Sequence, residues 1–323
     1  MALNSGWTYH DRPKTQLSSL GDPLTVWAYY CQHYTHSSPQ DWHDRILSGQ
    51  IHRNGQPTTP DALLQVGDRL TYHRPPWSEP EVPLNFEILH QDSDLWIINK
   101  PSGLPVLPGG AYLTHTLLHQ LQQRFPGETL TPLHRLGRGT SGLMVIARSS
   151  LARSALSHAF RQRQLTKIYR ALVTPDRPSQ ALPDRFICTQ AIGPVPHGNG
   201  TVHAALDPSD PQSRSAHSEG WVLQRSAQHT LVAVQIFTGR PHQIRIHMAS
   251  LGSPLLGDPL YTIGGVPKSP VLGDPLPLPG DCGYWLHAYE LGFAHPRSGQ
   301  WCAWTQPVPA NWPRCDRAER GQV

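Results

Sequence analysis

A chain of 323 residues with 38% hydrophobic residues, among them ten Trp, ten Tyr and six Phe, can bury the core of one large domain, or of a large domain with a small companion. Its formal net charge is +4, and no apolar run reaches the roughly 20 residues that a membrane helix needs. Residues 1–17 are polar and lack the apolar stretch of a secretion signal, so a soluble, cytoplasmic protein is expected.

The five cysteines, Cys31, Cys188, Cys282, Cys302 and Cys315, are scattered and form no Cys-x-x-Cys pair, which speaks for a reducing compartment rather than a disulfide framework. None of the nineteen His falls in a metal-ligand spacing, so no metal site is expected.

From about residue 24 to residue 76 the pattern is that of a small unit. Residues 41–50 (DWHDRILSGQ) read as a short helix, residues 51–53 as a strand entering an Asn54-Gly55 turn, and residues 66–72 as a turn into a second strand. Residues 75–83 are Pro-rich, a linker composition. Residues 86–89 and 95–100 are strand-like runs around a turn at Asp92-Ser93-Asp94, and residues 143–147 are a third apolar run. Residues 149–164 are predicted helical, because Leu151, Ala155, Leu156, Ala159 and Phe160 share a face that Ser149 or Ser150 can cap. Residues 168–173 and 231–237 are predicted strands, whereas Pro and Gly clusters at 175–183, 193–200 and 264–283 predict surface loops. Strands outnumber helices without a βαβ alternation, which favours an α+β fold with a mixed sheet.

Charge is unevenly spread. Residues 129–175 contain no acid but carry Arg135, Arg138, Arg148, Arg153, Arg161, Arg163, Lys167 and Arg170. Such a run is commonly a solvated face. It is also what a phosphate backbone attracts, since one-sign charge repels itself until a polyanion meets it.

Residues 137–142 (GRGTSG) match the Gly-x-Gly-x-x-Gly dinucleotide fingerprint, but that motif works between a strand and a helix. Here a poor strand precedes it and a strand follows, so a nucleotide-cofactor enzyme is a marginal reading. A serine-hydrolase elbow fails as well, because Leu143 stands where it needs Gly.

Residues 134–147, HRLGRGTSGLMVIA, resemble the RluA-type pseudouridine synthase signature HRLD-x-x-TSGL followed by an apolar strand. Residues 88–109 resemble that family's opening strands and its NKP-x-G turn, and residues 167–172 (KIYRAL) its K-x-Y-x-A-L strand. Residues 238–261, TGRPHQIRIHMASLGSPLLGDPLY, are similar to its TGR-x-HQIR segment, and residues 287–296 to its closing block. The small unit resembles a degenerate S4 RNA-binding module.

The resemblance implies a pseudouridine synthase fold: α+β, a mixed but mainly antiparallel sheet with a central cleft, and a small S4-like domain in front. The implied organisation is a tail over 1–22, the S4-like module over 23–76, a linker over 77–84, the synthase domain over 85–312 and a tail over 313–323. The implied reaction breaks the uridine N1–C1′ bond, turns the base and rejoins it through C5, with no cofactor. The implied partner is ribosomal or transfer RNA, no membrane or metal takes part, and a monomer is expected. Arg135 matches the Arg that enters where the base departed, Tyr169 the Tyr that stacks on it, and Arg245 the Arg that orients the catalytic Asp. Arg138, Arg161, Arg163 and Lys167 are the further cations expected to meet RNA.

The catalytic Asp itself falls on Gly137, and a carboxylate must lie within hydrogen-bond reach, roughly 3 Å, to act. Three readings follow. One is an active synthase using a displaced acid, with Asp258 the first candidate and Asp92 and Asp94 others. The second is a pseudoenzyme that binds or remodels RNA, and the third is the marginal cofactor enzyme. On these terms Gly137→Asp is expected to fold and to create or raise activity, with backbone strain as the one obstacle if Gly137 has positive φ.

Overall fold

The computed structural model describes residues 3–14, 23–34, 37–174, 182–198, 200–270 and 275–313. They form two compact units, Met1–Pro80 with Pro196–Thr201, and Glu81–Val195 with Val202–Val323.

The smaller unit contains β1 (Trp7–Asp11), α1 (Val26–His33), α2 (Pro39–Leu47), β2 (Ile51–Arg53), β3 (Gln56–Pro57) and β4 (Leu70–Arg74). Its sheet has the order β1-β4-β2-β3. Asn54 and Gly55 both have positive φ, 54° and 84°, the conformation a tight β2–β3 hairpin demands. Ser38 and Asp41 close a reciprocal capping box on α2. Residues 7–11, expected to belong to a tail, are instead an edge strand: Trp7 pairs with Arg74 and Asp11 with Leu70. The Asp11 carboxylate also accepts bonds from the hydroxyls of Tyr29 and Tyr34. Those partners are distant in sequence, so a local pattern could not announce the strand. Trp42, Ile46, Ile51 and Leu70 are at most 1% exposed and anchor this unit's own core.

The larger unit contains β5 (Glu87–Gln91), β6 (Leu95–Lys100), α3 (Leu117–Arg124), β7 (Thr131–Pro132), β8 (Ser141–Ala147), α4 (Ser150–Gln162), β9 (Thr166–Val173) and β10 (Arg185–Cys188). It continues with β11 (Ile192–His197) and β12 (Gly200–Ala205), whose stretch Pro196–Thr201 counts with the smaller unit, and with β13 (Ser218–Arg225), β14 (Thr230–Ile236), α5 (Gln243–Ser250), β15 (Tyr261–Thr262), β16 (Val266–Pro267), β17 (Leu286–Ala294) and β18 (Trp301–Thr305). The main sheet has ten strands in the order β10-β13-β14-β9-β17-β8-β6-β5, with β18 on β17 and β7 on β8. This is the mixed, mainly antiparallel α+β sheet expected, and β8 follows the glycine motif where a dinucleotide fold would need a helix. Residues 193–200, expected as a loop, mostly belong to the two-stranded β11–β12 ribbon, where Pro194 and Pro196 are tolerated because an edge strand leaves N–H positions unpaired.

The β5–β6 turn is a clamp. Asp94 is fully buried, and Arg297 and Ser149 bond to its carboxylate and hold it well below the usual carboxylate range. Asp92 accepts the backbone N–H groups of Asp94 and Leu95 and bonds to His295. Both aspartates are thus engaged in the turn before β6, and neither is on the lining of the cleft that holds Gly137.

The parallel contact between β8 and β17 sets Ser141 opposite His287 and Gly142 opposite Ala288. Gly142 has φ +107°, and a Cβ there would sit 2.3 Å from the Ala288 carbonyl oxygen. Only glycine fits. We predict that Gly142→Ala lowers stability by about 2–4 kcal/mol, the combined order of backbone strain and overpacking, read from the midpoint of denaturant unfolding.

Candidate active site

The larger unit contains a cleft of about 550 Å³ walled by the turn before β8, by α4, β9 and the end of β14, by the start of α5 and by Tyr284 and Leu286. Its cations are Arg135, Arg161, Arg163, Lys167, Arg240 and Arg245, and no Asp or Glu is among its lining residues.

Arg245 comes from α5, a helix with every residue from Gln243 to Ala249 buried. Its sequence alternates Ile244, Ile246 and Met248 with polar residues, so no amphipathic stripe announces a helix. Tertiary bonds satisfy the polar positions. Gln243 accepts from Thr238 Oγ1 and Arg240 N and donates to the His217 carbonyl, which pins the entry turn. His247 bonds to Ser218 Oγ and to the Gln190 carbonyl oxygen. Arg245 is 1% exposed and forks onto Asp258, with Nε to Oδ2 and Nη2 to Oδ1 both at 2.7 Å. Burial works against its charge, but the Asp258 carboxylate outweighs that and holds the guanidinium protonated. Asp258 Oδ1 further accepts the N–H groups of Leu260 and Tyr261.

Asp258, the first candidate for a substitute acid, is therefore not placed on the cleft lining. It lies behind Arg245 rather than on the cleft wall, and its oxygens are committed to the guanidinium and to two backbone donors.

The space that a Gly137 side chain would take is occupied. A Cβ on Gly137 would lie 2.8 Å from the Tyr284 hydroxyl, and one on Gly139 would lie 2.9 Å from Tyr284 Cζ. Gly137 has no positive φ, so the obstacle to an acid here is this phenol and not backbone strain. Tyr284 is 5% exposed, its hydroxyl is 3.3 Å from Thr140 Oγ1, and Arg245 Cζ lies 4.3 Å from its ring centroid. Burial pushes its pKa above the ordinary value, while the Arg245 charge and the Thr140 bond pull the other way. Sequence reasoning missed Tyr284, since one Tyr among Gly and Trp carries no local signal.

Tyr169, on β9, also lines the cleft, and burial pushes its pKa up to about 12. Arg135 is exposed on the lining, and Arg161, Arg163 and Lys167 stand at the end of α4 and the start of β9. Burial and then Arg163 lower the Lys167 pKa. Arg138 does not line the cleft, contrary to expectation: Nε donates to the Gly280 carbonyl and Nη1 to the Tyr112 hydroxyl, so it braces loops. The turn it belongs to is also held by buried Lys100, whose Nζ donates to the carbonyls of Pro101, Leu104 and Arg138.

His242, another lining residue, has φ +55° and ψ 20°. Its Nδ1 is 2.7 Å from Tyr261 Oη, whose own proton goes to the His203 carbonyl at 2.6 Å. A hydroxyl has one proton to give, so His242 must donate through Nδ1, leaving Nε2 an acceptor. Burial and the neighbouring Arg245 keep this imidazole neutral, pulling its pKa down to about 3.

We predict that Gly137→Asp costs about 1–3 kcal/mol by overpacking against Tyr284, and that Tyr284→Ala in the same chain relieves most of it. Denaturant unfolding of both single variants and the double variant measures that coupling. Purely additive losses would show that the phenol does not fill this space.

The sequence profile of the RNA pseudouridylate synthase family matches residues 94–250. An uncharacterized RNA pseudouridine synthase of Synechocystis sp. is 50% identical over 282 residues, covering 87% of this chain and 93% of its own. RNA pseudouridine synthase 5 of Arabidopsis thaliana is 38% identical, covering 90% of this chain and 89% of its own. Among solved structures, human RNA pseudouridylate synthase domain containing 4 superposes with a TM-score of 0.51 at 27% identity, over 69% of this chain and 89% of that one. Relatives so similar over nearly the whole chain do not favour the pseudoenzyme reading. The chain belongs to the RNA pseudouridine synthase family and is an RNA-modifying isomerase.

Proposed function

We propose that the cleft takes one uridine everted from a structured RNA, ribosomal or transfer RNA, and isomerises it without a cofactor. The observation that carries this reading is a cleft lined with cations, free of carboxylates, around the buried phenol of Tyr169. An everted nucleotide brings a flat base and flanking phosphates. Tyr169 offers a ring face to the uracil, and Arg135 offers a planar cation that can stack in the vacated position while bonding to phosphate. Arg161, Arg163 and Lys167 meet the backbone beside the target, and Arg245, held by Asp258, presents a fixed charge to the base pocket. Opening the stack costs a few kcal/mol, which these contacts offset. The smaller unit, read as an S4-like module, adds a second grip on folded RNA.

Two measurements test this. Affinity for total cellular RNA should fall steeply with salt, and Arg161→Glu with Arg163→Glu should weaken binding to every RNA alike, lowering the log–log salt slope by about 2. An unchanged slope would make these cations a solvated face. Tyr169→Ala should lose a stacking contact of about 1–3 kcal/mol in filter binding while Tyr169→Phe binds nearly as the parent does. Parent-like affinity in Tyr169→Ala would return Tyr169 to the sheet.

A further inference from the structure

The isomerisation moves protons as well as a bond. N1 gains a hydrogen when N1–C1′ breaks, and C5 loses one after C5–C1′ forms, so a group beside C1′ must give a proton and take one back. Within the cleft the described lining residues offer no carboxylate for this, and the Arg side chains remain protonated. Lys167, at the start of β9, holds its ammonium over the Phe160 ring. The other groups able to exchange a proton are phenols and imidazoles. His134 accepts the Val145 N–H through Nε2, which commits it to the fold. His242 is an acceptor at Nε2 with no proton there to deliver. Tyr169 has no cation stacked on its ring among the described residues to stabilise a phenolate.

Tyr284 differs. Its hydroxyl occupies the space beside Gly137 and its ring lies over the place a Gly139 side chain would fill. The Arg245 guanidinium is 4.3 Å from the ring centroid, and Thr140 Oγ1 is a second hydrogen-bonding partner 3.3 Å from the oxygen. Arg245 cannot move to neutralise another group, because Asp258 fixes both ends of its fork. A phenol held in this way can lose its proton beside a stationary guanidinium, part of whose charge Asp258 offsets, and regain it. Gly137 and Gly139, on either side of Arg138, leave the space in which the ring stands.

We propose that Tyr284 is the catalytic acid and base of this enzyme. As the N1–C1′ bond breaks, its electron pair goes to N1, which takes the Tyr284 hydroxyl proton. The resulting phenolate, stabilised by Arg245, faces the positive charge left on C1′. After the base turns, the C5–C6 π pair forms the C5–C1′ bond. The phenolate then removes the C5 proton, and the C5–H pair restores the ring double bond. Atoms, protons and electrons balance with no other reactant, and one group suffices because turning the base carries C5 to the place N1 left. The proposal rests on uridine entering this cleft.

The test uses the full-length protein and total RNA from cells deleted for its gene, with pseudouridine counted by mass spectrometry. Tyr284→Phe keeps the ring and its stacking on Arg245. Its turnover should fall by a factor on the order of 100 or more, with RNA affinity within twofold of the parent. A second variant carries 3,5-difluorotyrosine at position 284, a more acidic phenol. Because the acid must be protonated to act, its rate should start to fall at a lower pH than the parent's, whereas a merely structural ring would leave the profile in place. Turnover of Tyr284→Phe within tenfold of the parent, a loss confined to affinity, or an unmoved pH profile would each overturn the proposal. If Tyr169→Ala and Tyr284→Phe both turn over like the parent, it is the cleft itself, and not Tyr284 alone, that falls.

Discussion

The interaction on which the rest of the site depends is the buried fork between Arg245 and Asp258. Two charges withdrawn from water cost several kcal/mol each, and only good geometry with the remaining polar atoms bonded recovers that cost. Here both conditions hold: two 2.7 Å contacts join the pair, and two backbone N–H groups complete the carboxylate. Removing either partner would strand the other, a loss of about 3–5 kcal/mol. The pair therefore ties α5 to the loop before β15 more firmly than apolar packing would specify. It also places a positive charge between Tyr261 and Tyr284, with Arg245 Cζ 4.9 Å and 4.3 Å from their ring centroids.

Around that fixed charge the site shows an exchange of volumes. Where a carboxylate was expected the chain has Gly137 and Gly139, and a phenol from just before β17 fills the room they leave. The two features are one. A side chain on either glycine would overlap the ring, and with a small residue in place of Tyr284 the glycines would border a void beside Arg245. The turn that carries them is tied to the end of β6 and the loop after it, by Lys100 on the Arg138 carbonyl and by Ser102 on the Gly139 carbonyl. Burial pulls the Lys100 pKa down to about 7, a measure of how dry this support is.

The electrostatics of the cleft follow from the same arrangement. With the Asp258 carboxylate behind Arg245 and Asp92 and Asp94 engaged in the turn before β6, negative charge is kept off the wall that RNA would meet. Exposed Arg161 and Arg163 at the end of α4 and half-buried Lys167 at the start of β9 then have no carboxylate beside them on the cleft lining. Phosphate contacts of that kind position an RNA without reading its sequence. The same lining also holds uncharged groups: His242 offers an acceptor, and Tyr169 and Tyr284 offer hydroxyls.

Ordered blocks in the sequence were enough for the family, the α+β class and the reaction, because each block is a contiguous run whose residue types are tied to one another by local backbone geometry. Three residues they singled out, Arg135, Tyr169 and Arg245, come together on one cleft. Strands β8, β9 and β14 and helix α4 were legible for a similar reason: apolar periodicity and a serine cap act over a few residues. The edge strand β1, the buried helix α5, the commitment of Arg138 to Gly280 and Tyr112, and the placing of Asp258 behind Arg245 were not legible. Each depends on contacts that no local pattern encodes, across 142 residues for Arg138 and Gly280 and 13 for Arg245 and Asp258. The sequence by itself determined that the acid at Gly137 is missing. Only the tertiary structure decided what stands in its place, since a side chain fills a space according to where the fold brings it, and Tyr284 meets Gly137 only after β17 has laid itself beside β8.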